Sequence, residues 1–285
     1  RHLLGVVSYA RLFSSPPEKT IREIMDSDMV SVPEDCDQEE VARVFQRHKY
    51  LAIPVVDYEN RMKGIVTMDD IMDVLRQENT EDIQKIGGVE TLETSYMRTG
   101  FLQMIRKRAG WLTILFLGEM MTATAMVYFQ NEIAQAVVLA LFIPLIISSG
   151  GNAGSQASTL VIRAMALGEV RLRDWWRVFF REAGSGLTLG MILGGIALLR
   201  VLFWPTSALI YGEHFVMIAW TVSFSLVGVV LWGTVVGASL PFVLRRLGFD
   251  PATASAPFVA TLVDVTGLVI YFSVASFLLK GVLLT

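Results

Sequence analysis

The sequence predicts an α-helical membrane protein, with five transmembrane helices joined to a small cytosolic α/β domain. Three observations predict this. Of the 285 residues, 53% are hydrophobic, and the mean hydropathy is positive, which exceeds what a soluble domain of this size usually shows. The apolar residues are also unevenly placed. Residues 1–108 hold most of the acids, whereas 111–281 form long runs with very few charges. Finally, "LLGVVSYARLF" (3–13) aligns with "MKGIVTMDDIM" (62–72) as an internal repeat, pairing Gly5 with Gly64, Ser8 with Thr67 and Leu12 with Ile71.

The formal net charge of -3 averages two unlike parts, and no nucleic-acid partner is expected. A single cysteine, Cys36, excludes an intramolecular disulfide and a Cys-based metal cluster. The opening "RHLLGVV" lacks an apolar stretch long enough for a signal peptide, so the chain is expected to begin inside a folded unit.

Each copy of the repeat reads as a short strand, a turn carrying a hydroxyl, and the start of a helix. The second copy is complete: "MVSV", a helix from about Gln38 to Lys49, "LAIPVVD", a hairpin at "DYENRMKG", "GIVT", and a helix over 69–77. Strands alternating with helices at this spacing indicate a small α/β unit. Residues 1–19 are expected to be the end of a first module and 20–78 a whole second one. With "LAIPVVD" and "GIVTMDDI", the layout resembles a CBS domain, a module that pairs in tandem and often binds adenine nucleotides. That resemblance implies a nucleotide signature at Gly64, Thr67 and Asp70, with ATP as the candidate ligand. A helix N-terminus bearing a hydroxyl and a carboxylate can hold phosphate and ribose. The same Thr67 can equally well serve as a helix cap. In the first copy Arg11 stands at the Asp position.

Residues 79–109 read as a connecting segment. Gly87-Gly88 breaks any helix. From about Thr91 the spacing of Leu92, Tyr96, Phe101 and Ile105 predicts an amphipathic helix along the membrane surface, ending in Arg106-Lys107-Arg108.

Residues 110–285 are expected to hold five spans, roughly 111–130, 133–155, 180–204, 214–243 and 253–280, each long enough for a ~30 Å hydrocarbon layer. Eleven basic residues flank the ends assigned to the cytoplasm (Arg98, Arg106, Lys107, Arg108, Arg163, Arg171, Arg173, Arg177, Arg181, Arg245, Arg246), against Arg200 and Lys280 at the others. This bias places the N-terminal part in the cytoplasm and the C-terminus outside. Gly186, Gly190 and Gly194, like Gly233 and Gly237, recur at every fourth position, as close helix packing in lipid requires. "GEVRLRDWWRVFFRE" mixes Arg with Trp and Phe, as an interfacial helix does.

The second and fifth spans are the irregular ones by sequence. Pro144, Gly150, Gly151 and Gly154 argue against an uninterrupted helix, and non-helical backbone at membrane depth survives only against protein or a water-filled cavity. Ser148, Ser149, Asn152, Ser155, Gln156, Ser158 and Thr159 add polar groups without charge. The fifth span supplies the charge: Asp264 lies in the middle of "DPATASAPFVATLVDVTGLVIYF" with no base at a matching depth, which favours a cation pathway over a buried protonated acid. Glu119 and Glu182 are weaker candidates. Oxygen donors with one carboxylate suit Mg²⁺, although Mn²⁺, Ca²⁺ or Na⁺ would also be admitted. The absence of His and Cys nearby argues against Zn²⁺ or Cu⁺. No Gly-x-x-x-x-Gly-Lys-Ser/Thr run occurs. His2, His48 and His214 form no His-Glu-x-x-His helix, so the chain is not expected to be an enzyme.

The CBS pair, the connecting helix, five spans, "GGNAGSQASTLVIRA" after a proline-containing run, and the fifth-span segment together resemble the MgtE magnesium channel family. The resemblance implies a homodimer in the lipid bilayer, in a bacterial inner membrane, that takes up Mg²⁺. Asp264 would recognise hydrated Mg²⁺ with Ala260 one turn before it. Pro144, Gly150, Gly151, Asn152, Gly154, Gln156, Thr261 and Gly267 would line the pore. Cytosolic Mg²⁺ would close the gate through a connecting plug helix, with Glu90, Glu93, Asp69, Asp73 and Asp82 as regulatory ligands. Three departures stand out. The 285 residues contain no stretch like the acidic helical N-domain usual in the family, Ala256 stands where some members carry Asn, and Arg98 replaces an expected acid. A nucleotide-sensing membrane receptor without ion conduction, or a cation-coupled carrier of other divalent ions, are the alternatives.

Overall fold

The computed structural model describes residues 2–283, which divide into two compact units meeting between Glu81 and Asp82. The first unit contains α1 (Tyr9–Ser14), α2 (Ile21–Ile24), β1 (Val32–Pro33), α3 (Gln38–His48), β2 (Ala52–Val56) and β3 (Met62–Thr67). It also holds most of α4 (Met68–Ile86). β1 pairs parallel to β2, and β2 antiparallel to β3, so α3 is the crossover and the predicted "DYENRMKG" is the hairpin. Asp37 caps α3 by accepting the Glu39 N–H at 2.8 Å, and Lys49 ends it in a left-handed conformation. The apolar face of α3, Val41, Ala42 and Phe45, packs on Val32, Ile53 and Ile71. The two helix heads of the repeat are capped differently: Ser8 Oγ accepts the Arg11 N–H at the head of α1, whereas at the head of α4 the bond runs the other way, Asp70 Oδ2 accepting the Thr67 N–H.

Two expectations about the connection need correction. The helix read as 69–77 runs on to Ile86, because "ENTEDIQK" contains no residue that stops a helix. It ends at Gly87-Gly88, where Gly88 has φ 70° and a Cβ would lie 2.7 Å from the Trp111 ring. The amphipathic helix expected from Thr91 does not form. Instead the hydroxyl groups bond locally, with Thr94 against Thr99 at 3.0 Å and Thr99 Oγ1 donating to the Ser95 carbonyl at 3.2 Å, a competition that disfavours helix. The Leu92 N–H donates to the Gln84 side chain at 2.7 Å. Helix resumes only after Gly100, and Arg106-Lys107-Arg108 belongs to the first long apolar helix.

The second unit consists of α5 (Phe101–Tyr128), α6 (Gln130–Gln135), a 3₁₀ segment (Val137–Phe142), α7 (Ile143–Ala166), a 3₁₀ turn (Leu172–Asp174), α8 (Trp175–Phe203), α9 (Ser207–Tyr211), α10 (Phe215–Arg246), a 3₁₀ turn (Pro251–Thr253) and α11 (Ala256–Leu279). Five helical stretches are long and apolar enough to cross a membrane: Phe101–Tyr128, Val137–Ala166, Leu172–Phe203, Phe215–Arg246 and Ala256–Leu279. The unit is a multi-pass α-helical bundle. α10 is central, packed by α8 and by the pair α7 and α11. α5 lies against α11 and buries no residue fully.

The expected break in the second span is not where the sequence suggested. α7 is a continuous α-helix through Gly150, Gly151 and Gly154. The irregular backbone lies before it, at Ala136 and the 3₁₀ segment, and Pro144 sits in the first turn of α7, where its missing N–H costs nothing. α11 is likewise unbroken. In an apolar medium each unmade backbone hydrogen bond is costly, so the glycines keep the helix and contribute close approach instead. Cβ atoms on Gly150 and Gly154 would lie 2.5 Å from Val229 and 2.8 Å from the Gly233 carbonyl oxygen of α10. The α8 row serves the same purpose, Gly186 against Thr234, Gly190 against Val227 and Gly194 against Ser223.

Candidate functional site

An α-helix returns to nearly the same azimuth every fourth residue, so the fate of each α7 side chain follows from its place in the count. Gly150, Gly154, Ala157 and Val161 turn inward and are buried. Pro144, Ser148, Asn152 and Gln156 fall on one outward row and are exposed. Asn152 donates from Nδ2 to Ser148 Oγ at 3.3 Å. A row of uncharged polar groups thus runs along the outer face of a membrane-spanning helix.

Gly151 stands at the edge of this row, against α11. A Cβ there would lie 3.3 Å from Asp264 Oδ1 and 3.4 Å from the Ala260 Cβ. The carboxylate therefore lies over bare backbone, in space that any larger residue would narrow. Asp264 is half-exposed, and among the described residues no hydrogen bond or ion pair holds it. α11 carries no Lys, Arg or His. A carboxylate left against lipid at this depth costs several kcal/mol, so the surface it shares with Ser148, Asn152 and Gln156 must meet water, an ion or protein.

Glu119 of α5 stands at the same level. Trp111 Nε1 donates to Ser255 Oγ at 3.2 Å, which fixes the register of α5 on α11. From that contact Glu119 is eight residues on and Asp264 nine, rises of about 12 and about 13.5 Å.

Other residues expected to line a pore are placed differently. Gly267 packs on α10, where a Cβ would lie 3.1 Å from Val229, and Thr261 faces Gly118 of α5. Gly150 and Gly154 are enclosed by α10 and α11, so they set the spacing of the helices behind the polar row. Two serines that the sequence marked only as polar hold the base of α11: Ser155 donates to the Ala256 carbonyl at 2.9 Å and Ser158 to the Ala254 carbonyl at 2.8 Å. Lys85 at the end of α4 pairs with Asp250 at 2.6 Å, and Ile86 packs with Ile162, Ala252 and Ala254. The foot of α11 is thus tied to both α7 and α4, a connection that sequence patterning does not reveal.

Of the candidate regulatory acids, Asp69 and Asp73 lie in the first unit and Asp82, Glu90 and Glu93 in the second. Glu90 faces Lys107 at 3.8 Å, and among the described residues no three His, Cys, Asp or Glu side chains meet closely enough to hold a metal ion. In the first unit Asp70 Oδ2 accepts both the Thr67 hydroxyl at 2.5 Å and the Thr67 N–H at 3.1 Å. The hydroxyl bond above all holds the Asp70 carboxyl below its ordinary range. These two groups therefore form a helix cap. A cavity of about 450 Å³ in the same unit is lined by His2, Leu3, Leu4, Gly5, Met62, Lys63 and Gly64, and by neither Thr67 nor Asp70.

The geometry defines a class: a multi-pass α-helical membrane protein with an intramembrane carboxylate beside a polar helix face, preceded by a small α/β unit. Comparison with known proteins supplies the family. Residues 143–274 match MgtE, described as a divalent cation transporter, and residues 21–77 match the CBS domain. The chain is 44% identical over 280 residues to the magnesium transporter MgtE of Thermus thermophilus, covering 98% of this chain and 60% of that protein. It is 33% identical over 280 residues to the magnesium transporter MgtE of Enterococcus faecalis, covering 98% of this chain and 59% of that protein. A solved structure described as the soluble part of a magnesium transporter is 40% identical over 27% of this chain and 30% of that one, at a TM-score of 0.27, too low to compare folds. The chain spans about 60% of the length of the curated relatives it matches. Residues 143–274 carry the MgtE domain, and residues 21–77 carry a CBS domain.

Proposed function

We propose that the protein carries Mg²⁺ across the membrane along the outer face of α7, with Asp264 as the charge that attracts the ion. The observation that carries this reading is the unpartnered Asp264 beside the row Ser148, Asn152 and Gln156, in a unit that carries the MgtE domain. Mg²⁺ sheds water reluctantly and is commonly held through its own hydration shell. A carboxylate set above the bare backbone of Gly151, the residue before Asn152, leaves space that suits a hydrated ion better than a tight cage. The relatives named as magnesium transporters support the same ion.

One chain leaves the polar face open. A second copy packed on this face encloses the path as a homodimer, removes the carboxylate from lipid and brings two Asp264 side chains to one axis. Passage is passive and driven by the membrane potential, as in a channel. The protein lies in a bacterial inner membrane with the CBS unit in the cytoplasm. Cytosolic Mg²⁺ acts as the gating signal, and Asp69, Asp73, Asp82, Glu90 and Glu93 are the carboxylates that would attract it, through its hydration shell. A nucleotide such as ATP would occupy the cavity against Gly64.

The test is Mg²⁺ uptake into Mg²⁺-free proteoliposomes under an inside-negative potential, for the parent and for Asp264→Ala and Asp264→Asn. Uptake by the parent that is lost in both variants, with assembly intact, is the expected result. Equal uptake in the variants places the path elsewhere. No divalent uptake by the parent turns the reading towards a receptor.

A further inference from the structure

The segment "RLRDWWRVFFRE" is absorbed neither by the packing of the bundle nor by the proposed ion path. It covers the 3₁₀ turn at Leu172–Asp174 and the first turns of α8. Its inner residues, Trp175 and Val178, pack on Met165 of α7 and Phe242 of α10. Its outer residues form two neighbouring rows on the helix, Trp176 with Phe180 and Arg177 with Arg181, each pair four residues apart. Trp176 and Phe180 stack at 5.8 Å yet remain 59% and 67% exposed. Arg171 and Arg173 precede them and are exposed as well.

Three observations give this surface a definite surrounding. First, α8 has 29 residues, about nine more than the ~20 that cross the hydrocarbon layer. The far end is anchored where the Arg200 guanidinium lies 3.4 Å from the centroid of the Trp204 ring, so the surplus turns belong to the Trp175 end, at headgroup depth. Second, among the described residues no carboxylate lies within ion-pair distance of the guanidinium groups of Arg171, Arg173, Arg177 or Arg181. Asp174 is engaged with the Arg171 backbone N–H at 2.9 Å. Third, Met165 and Phe242 bring the ends of α7 and α10 to the same level, adding Arg163, Arg245 and Arg246 to the same interface.

We infer that the start of α8 is a binding surface for anionic phospholipid, with the Arg171, Arg173, Arg177 and Arg181 guanidinium groups on the phosphates and the Trp176–Phe180 stack against the upper acyl chains. The planar guanidinium donates two parallel bonds to a phosphate, and Trp is at home at this depth because one edge is apolar and the other polar. The aromatic row fixes the headgroup plane relative to the arginine row one helical step away. An acidic protein partner is less well suited, because the exposed aromatic pair would then lie in water whenever that partner left.

The test uses quenching of tryptophan fluorescence by brominated lipid in vesicles of equal parts phosphatidylglycerol and phosphatidylcholine, with the bromine on one lipid or the other. The contribution of Trp176 is the difference between the parent and Trp176→Phe. The expected result is local enrichment of phosphatidylglycerol over phosphatidylcholine by at least about fivefold, the gain from a single basic residue at an anionic surface. That preference should fall towards parity in R171Q/R173Q/R177Q/R181Q, survive in Arg200→Gln, and weaken in the parent as salt is raised. Should the fourfold variant fail to fold, the salt series on the parent decides alone. Equal quenching by the two lipids in the parent, or a preference that outlives both the fourfold substitution and high salt, overturns the assignment.

Discussion

Replacing Gly237 by Ala tests the close crossing of α7 and α10 on which the polar row depends. A Cβ on Gly237 would lie 2.7 Å from the carbonyl carbon and 2.8 Å from the Cα of Gly154, with the carbonyl oxygen nearer still. Ordinary contact begins at 3.4 Å, so the carbonyl carbon alone requires the helices to part by at least about 0.7 Å, against backbone that has no rotamer with which to yield. Overpacking of this kind costs about 1–3 kcal/mol, and a unit of this size would lose roughly 5–10 °C in Tm at the upper end. Gly195→Ala on α8 is the control, because nothing lies within 4 Å of its added methyl and Ala is the better helix former by ~1 kcal/mol. Thermal unfolding in detergent, followed by the α-helical signal, should show Gly237→Ala well below the parent and Gly195→Ala level with it or above. Two variants of equal stability would mean that α7 and α10 do not cross backbone to backbone.

Other outcomes follow from single contacts. Gly88→Ala combines a left-handed φ of 70° with a Cβ 2.7 Å from the Trp111 ring; it should destabilise the junction by about 1–3 kcal/mol, read as faster amide exchange over 84–92. Glu119→Gln removes the second carboxylate at the level of Asp264 and should lower Mg²⁺ uptake less than Asp264→Asn does, with Glu119→Asp retaining more of it than the amide. In the CBS unit the Asp57 carboxyl is held at about 2 rather than 3.8, first by the Arg61 backbone N–H and then by its guanidinium. The depressed value means that its stabilisation is complete above pH 3.8 and fades as pH falls towards 2. Asp57→Asn should therefore flatten the acid limb of amide exchange over 52–67 in the whole chain, and an unchanged limb would count against that network.

Much of this architecture is legible in the residues because apolar length and strand–helix alternation are strong signals. The five spans overlap the stretches that patterning marks, although the first and third begin about ten and eight residues earlier and the second ends eleven later. The α3 crossover and the hairpin before β3 appear where patterning places them. The glycines of "GGNAGSQ" show the limit. The same residues that break a helix in water preserve one in a bundle, because their lack of Cβ lets Gly233 and Gly237 of α10 come close enough to exclude lipid. Patterning also misses the segment after Gly88. Leu92, Tyr96, Phe101 and Ile105 have helical spacing, yet Thr94, Ser95 and Thr99 direct their hydroxyl groups to one another and to the local backbone. Asp264 was identifiable as a charge without a partner, but its seat above Gly151 was not, because that requires the register of α7 on α11. Ser155 and Ser158 illustrate the same gap: polar in sequence, they proved to be ties to the carbonyls at the foot of α11.

The central claim is that the outward row of α7 beside Asp264 is the wet wall of the Mg²⁺ path. The most direct measurement is thiol modification by a charged, membrane-impermeant reagent in a Cys36→Ser background, comparing Asn152→Cys on α7 with Ile196→Cys on the outer face of α8. Both positions are exposed in the single chain, so exposure alone does not separate them. The account predicts that the thiol at 152 reacts, that modification stops Mg²⁺ uptake and that Mg²⁺ slows the reaction, while the thiol at 196 stays unmodified in lipid. A thiol at 152 no more reactive than the one at 196, with uptake undisturbed, would contradict it.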